Sequence, residues 1–146
     1  MRATYRVLGL LIAIGVVLQA AFIAIAQFQI LHDTDKGILY DKNTENWAQI
    51  AHSVLGTIII PLLAIVMLIV SFFAKIPGGA KWAGIVIGLI VLQVVLAFLG
   101  FAAPVAGSLH AFNAFAIAGV ASVAARKARD VETAAPAAPV ETPTGA

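Results

Sequence analysis

The sequence predicts an all-α integral membrane protein, a four-helix up-down-up-down transmembrane bundle. Three observations predict it. Of 146 residues, 62% are hydrophobic and only 11% charged, against about 25% charged in a soluble domain. The apolar residues gather into four long runs, about residues 5–31, 47–74, 82–103 and 107–125. The connections between the second, third and fourth runs are short, which favours antiparallel neighbours.

Each run approaches or exceeds the roughly 20 residues a helix needs to cross about 30 Å of hydrocarbon. In that medium only helices or closed barrels satisfy the backbone polar groups, and runs of this length are helices. The first run follows Arg2 and Arg6. With Ala24-Ile25-Ala26 before Gln27 it looks like a signal peptide, but its apolar stretch exceeds the usual 7–15 residues, so it is read as a retained helix. The second run opens on Trp47 and the third on Trp82, interfacial anchors at opposite faces. Pro61 removes a backbone hydrogen bond in mid-span and predicts a kink. Gly84-x-x-x-Gly88 on the third run is a helix-packing motif. The fourth run is the shortest and is rich in alanine. Beyond Arg129, residues 131–146 are Ala, Pro, Thr and Glu without apolar periodicity. Such a segment cannot bury enough surface to order itself and is expected to be a disordered tail. No convincing internal repeat is visible. The working division is a transmembrane domain over residues 1–130 followed by that tail.

Charge sets the orientation. Arg2, Arg6, Lys75, Lys81, Arg126, Lys127 and Arg129, seven of nine basic residues, fall on one side of the bundle. By the positive-inside rule that side is cytoplasmic, both termini included, in the inner membrane of a bacterium. The opposite side carries a long first loop with Asp33, Asp35, Asp41 and Glu45 against Lys36 and Lys42, and an uncharged second loop. The basic surplus thus reports topology. No aromatic residues interleave with a basic patch, which sets nucleic acid aside as a partner and leaves the lipid bilayer. The absence of cysteine excludes disulfides, thiolate metal sites and cysteine nucleophiles.

Two histidines lie inside the spans, His52 near the start of the second and His110 near the start of the fourth. Ionisable side chains are rare there and are functional candidates by default. At about 1.5 Å per residue, His52 lies roughly 7–8 Å into its helix and His110 roughly 5–6 Å, both in the outer half. The second and fourth helices of such a bundle are diagonal, with axes about 11–14 Å apart if neighbours are 8–10 Å apart. Two imidazoles reaching inward bracket one metal atom, and the natural occupant is a b-type haem iron with two axial histidines. Gly56 and Ala114, each four residues beyond a histidine, offer small side chains to a flat macrocycle. Asn113, three residues from His110, can orient the histidine or the edge of a cofactor. Small residues and interhelical amides are equally ordinary membrane packing, and Gln19, Gln27 and Gln93 are read that way. His32, where the first helix leaves the membrane, is read as a solvated interfacial residue. A zinc or copper site made of His32, His52 and His110 is the sharper alternative.

His52-Ser53-Val54-Leu55-Gly56, then Leu92-Gln93, then Leu109-His110-Ala111-Phe112-Asn113 and a basic stop at Arg126 resemble two sets of proteins. One is a family of small bacterial four-helix membrane proteins of uncharacterised function, the other one half of heme A synthase. The resemblance covers roughly residues 5–129. It implies that His52 and His110 ligate haem. Unlike heme A synthase, this chain has one bundle, no cysteine pair, and glutamines in place of an acidic residue on the first helix. The reading is therefore a haem-binding protein and not that oxidase, a carrier of electrons near the outer face. The alternative is a cofactor-free accessory or scaffold subunit of a larger respiratory or other membrane complex.

Overall fold

A computed structural model describes residues 1–41 and 43–134. Those residues are all-helical, with no strand among them. Helix α1 spans Arg2–Asp35 and α2 spans Trp47–Val54. A π-helical turn, Leu55–Ile59, joins α2 to α3, Ile60–Ser71. Helix α4 spans Gly79–Ala102 and α5 spans Ser108–Thr133. Since α2, the π turn and α3 form one rod, four helical segments are long and apolar enough to cross a membrane.

Asn46 starts the second rod. Its side-chain oxygen accepts from the Ala48 and Gln49 N–H groups, satisfying two of the donors that a helix start leaves unpaired. Its amide also donates to the Ala26 carbonyl at 3.3 Å, tying the rod to α1. Pro61 sits in the first turn of α3, where its missing N–H costs little. The rod absorbs the proline through the π turn, in which the Ile60 N–H bonds to the Leu55 carbonyl five residues back.

Helix α1 packs against α5, α2 and α3, and α4 packs against α5 and α3. The first and third rods thus occupy one diagonal, the second and fourth the other. The apolar core lies toward the basic end, where Tyr5, Ile12, Met67, Val86, Ala121 and Ala124 are fully buried. There the Tyr5 hydroxyl donates to the Gly79 carbonyl at 2.8 Å, and Arg6 pairs with Glu132 at 2.7 Å.

The helix ends depart from the hydropathy bounds in both directions: the second rod stops at Ser71, short of 74, and α4 spans Gly79–Ala102 against 82–103. Helix α1 gains residues at both ends, and α5 runs eight residues past 125, taking in Val131, Glu132 and Thr133. Hydropathy marks the span suited to lipid, whereas Arg126, Lys127 and Arg129 are good helix formers and carry the helix onward into polar surroundings. Ala128, fully buried, continues the packed face of α5. The rest of the expected tail, residues 135–146, and Lys42 lie outside the described residues.

Candidate functional site

His52 sits in the second turn of α2, and His110 in the first turn of α5. Both are half-buried. The His52 Nδ1 lies 3.0 Å from the Gln19 carbonyl of α1, and the His110 Nδ1 lies 3.0 Å from the Gln93 carbonyl of α4. A carbonyl oxygen only accepts, so Nδ1–H donates in both cases and the neutral ring keeps its lone pair on Nε2. Neither Nε2 has a hydrogen-bond partner among the described residues. The two ring centroids are 6.4 Å apart, with the ring planes inclined at 49°.

That spacing has a simple chemical counterpart. Metal–imidazole bonds are about 2.0–2.1 Å and a ring nitrogen lies about 1.1 Å from its centroid, so two imidazoles in line on one metal have centroids about 6.2–6.4 Å apart. Ligating histidines also habitually donate their other ring N–H to a carbonyl or carboxylate, which fixes the tautomer and raises the basicity of the ligand nitrogen. Two protein donors fall short of the three or four that zinc sites use.

Around the pair, the Gln19 side chain donates from Nε2 to the His52 carbonyl at 2.9 Å, completing a reciprocal link between α1 and α2. Its Oε1 is buried without a partner. Asn113 donates to the Gln93 Oε1 at 2.7 Å and to the Leu89 carbonyl at 2.9 Å, so it braces α4 beside the carbonyl that holds His110. Gly56 makes room for Gln19, since a Cβ there would lie 2.6 Å from the Gln19 Nε2. The π turn breaks the simple four-residue phase between His52 and Gly56. Ala114 packs against the edge of the apolar core. His32 is exposed at the end of α1. Among the described residues no three His, Cys, Asp or Glu side chains are grouped to hold a metal, so the three-histidine site is not formed.

No known family, curated protein or solved structure matches this chain. The site is therefore read from its own geometry.

Gln19 and Gln93, read from the sequence as ordinary interhelical hydrogen-bonding residues, do bond across helices through their side chains; what that reading lacked is their hold on the two histidines. Both contribute through the backbone carbonyl, a group every residue carries, so side-chain chemistry gave no signal of it.

Proposed function

We propose that this chain is a multi-pass protein of the bacterial inner membrane that holds b-type haem between His52 and His110. It serves as an electron carrier near the outer face or as a haem holder for a partner complex. The observation that carries this reading is the matched pair of Nδ1–H donors, which leaves two free Nε2 lone pairs on rings 6.4 Å apart. Bound haem supplies one-electron chemistry at a potential set by its axial ligands. The chain's own part is to hold both imidazoles in one tautomer, through the Gln19 and Gln93 carbonyls, and to shield them with the bundle. The gathering of seven basic residues at the opposite end supports cytoplasmic termini and an outer-side site.

The test is an absorption spectrum of the protein purified from a haem-replete host. The expected result is Soret and alpha bands of a six-coordinate haem, lost or converted to five-coordinate in His52→Ala and in His110→Ala. A folded wild-type sample without those bands overturns the reading.

A second reading, the cofactor-free accessory subunit, is favoured by one observation. Gly84 and Gly88 of α4 and Gly119 of α5 have nothing within 4 Å of where a Cβ would stand. Outward-facing small residues are what a neighbouring membrane helix packs against. Co-purification with a larger assembly, without haem, would establish it.

A further inference from the structure

The burial pattern and the histidine bonds repeat through the chain. On α1 the buried Gly9, Ile12 and Val16 precede the half-buried Gln19; on α4 the buried Ala83, Val86 and Ile90 precede the half-buried Gln93. Every one of these pairs is separated by 74 residues. The two Gln carbonyls then hold the two histidines at the same 3.0 Å.

The second rod and α5 repeat as well, with one slip. His52 and Gly56 correspond to His110 and Ala114 at a separation of 58. Beyond the π turn, the buried Ile60, Ala64, Met67 and Ser71 correspond to Ile117, Ala121, Ala124 and Ala128 at a separation of 57. Pro61 then falls opposite Ala118. The register changes by one residue across Leu55–Ile59, the segment that is π-helical.

Helical phase explains why. An α-helix turns about 100° per residue, so the seven steps from His110 to Ile117 bring both to within about 20° of one face. The eight steps from His52 to Ile60 would leave them about 80° apart in an unbroken α-helix. The wider π turn takes up one extra residue, so His52 stays on the site side while Ile60, Ala64 and Met67 stay in the core.

We infer that the bundle is two copies of one helical hairpin, α1 with the second rod and α4 with α5, related by an approximate two-fold axis along the bundle. The π turn is a one-residue insertion in the first copy, and it is the device that positions His52 against His110. The exchange of copies carries the α1–α5 contact into the contact of α4 with α3, which is present but much less extensive, so the two-fold is approximate. A site on that axis takes a ligand with two equivalent faces. This last consequence rests on the haem reading; the duplication and the role of the π turn do not.

The test uses the full chain, which has no native cysteine. His52→Cys and His110→Cys together, treated with a short bifunctional thiol reagent, report the spacing of the two positions as an intramolecular crosslink in the intact mass. The crosslink is then compared in two further backgrounds. The first deletes Ile58 and carries Pro61→Ala, which copies the second hairpin. The second deletes Ala116, an exposed residue of the regular helix α5. The expected result is a folded, helical protein with its crosslink retained in the first background, and loss of the crosslink in the second. Unfolding or loss of the crosslink in the Ile58 deletion overturns the inference, as does retention of the crosslink in the Ala116 deletion. The readout involves no haem, so a wild-type chain without a Soret band but with this crosslink pattern would end the haem reading and leave the duplication standing.

Discussion

The same substitution, glycine to alanine, is expected to have opposite effects at two places in this bundle. Gly9 lies at a close approach of α1 to α5. A Cβ there would stand 2.9 Å from the Ala121 carbonyl oxygen and 3.2 Å from the Ala125 Cβ. Ordinary carbon–oxygen contacts are about 3.3–3.6 Å, so the helices must separate by roughly half an ångström. A gap of about 0.5–1 Å forfeits a quarter to a half of the dispersion energy of the atoms facing it. Those atoms include the fully buried Tyr5, Ile12, Ala121 and Ala124. Overpacking of this kind costs about 1–3 kcal/mol, against at most about 1 kcal/mol returned by the better helix propensity of alanine. Gly9→Ala therefore destabilises by up to roughly 2 kcal/mol, by difference of those two effects. At Gly88 a Cβ meets nothing within 4 Å, and only the propensity gain, up to about 1 kcal/mol, remains. Reversible thermal or denaturant unfolding in one detergent, followed by circular dichroism, measures both variants against wild type. A Gly9→Ala variant stabilised as much as Gly88→Ala would refute the close approach of α1 and α5. A destabilised Gly88→Ala in a monomeric sample would refute the outward placement of that face.

Three other expectations are independent of the site. Asn46→Ala removes the cap of α2 and the bond to the Ala26 carbonyl, costing about 1–2 kcal/mol, with faster hydrogen exchange at the Ala48 and Gln49 amides. Tyr5→Phe removes the buried hydrogen bond to the Gly79 carbonyl and lowers unfolding stability by about 0.5–1.5 kcal/mol. The Asp41 carboxyl is held below its ordinary value of 3.8 by the Asn43 N–H and the Thr44 hydroxyl. Because its pKa is depressed in the folded loop, the turn is at full strength above pH 3.8 and loosens as pH falls through the lowered value. Nuclear magnetic resonance of the Asn43 amide shift across that range checks the sign.

Several features were plain in the residues alone. The bilayer-length apolar runs fixed four helices, because a run of that length with so few charges has one economical backbone solution in lipid. The basic clusters grouped the helix ends, and two histidines stood out because ionisable groups are scarce in such runs. Helix termini were less legible. Hydropathy reports where lipid begins and ends, so it missed the turns of α5 that bury Ala128 and seat Glu132 against Arg6.

The tertiary structure decided the rest. Pro61 predicted a kink, but only the packed rod shows the disturbance spread upstream as a π turn, because the phase of His52 and the phase of Ile60 must both be served. Gly84-x-x-x-Gly88 read as a helix-packing motif without a partner; the structure turns it outward, since the buried face of α4 is that of Ala83, Val86 and Ile90. Gly56, read as a small neighbour of a cofactor, admits the Gln19 side chain. The tautomer of each histidine, and with it the free Nε2 that makes the pair interesting, depends on backbone carbonyls supplied by other helices. The order of residues alone determined four bilayer-length helices with two costly histidines inside them. Which atom of each histidine is left available was decided by the carbonyl that packing brings within 3.0 Å of the other.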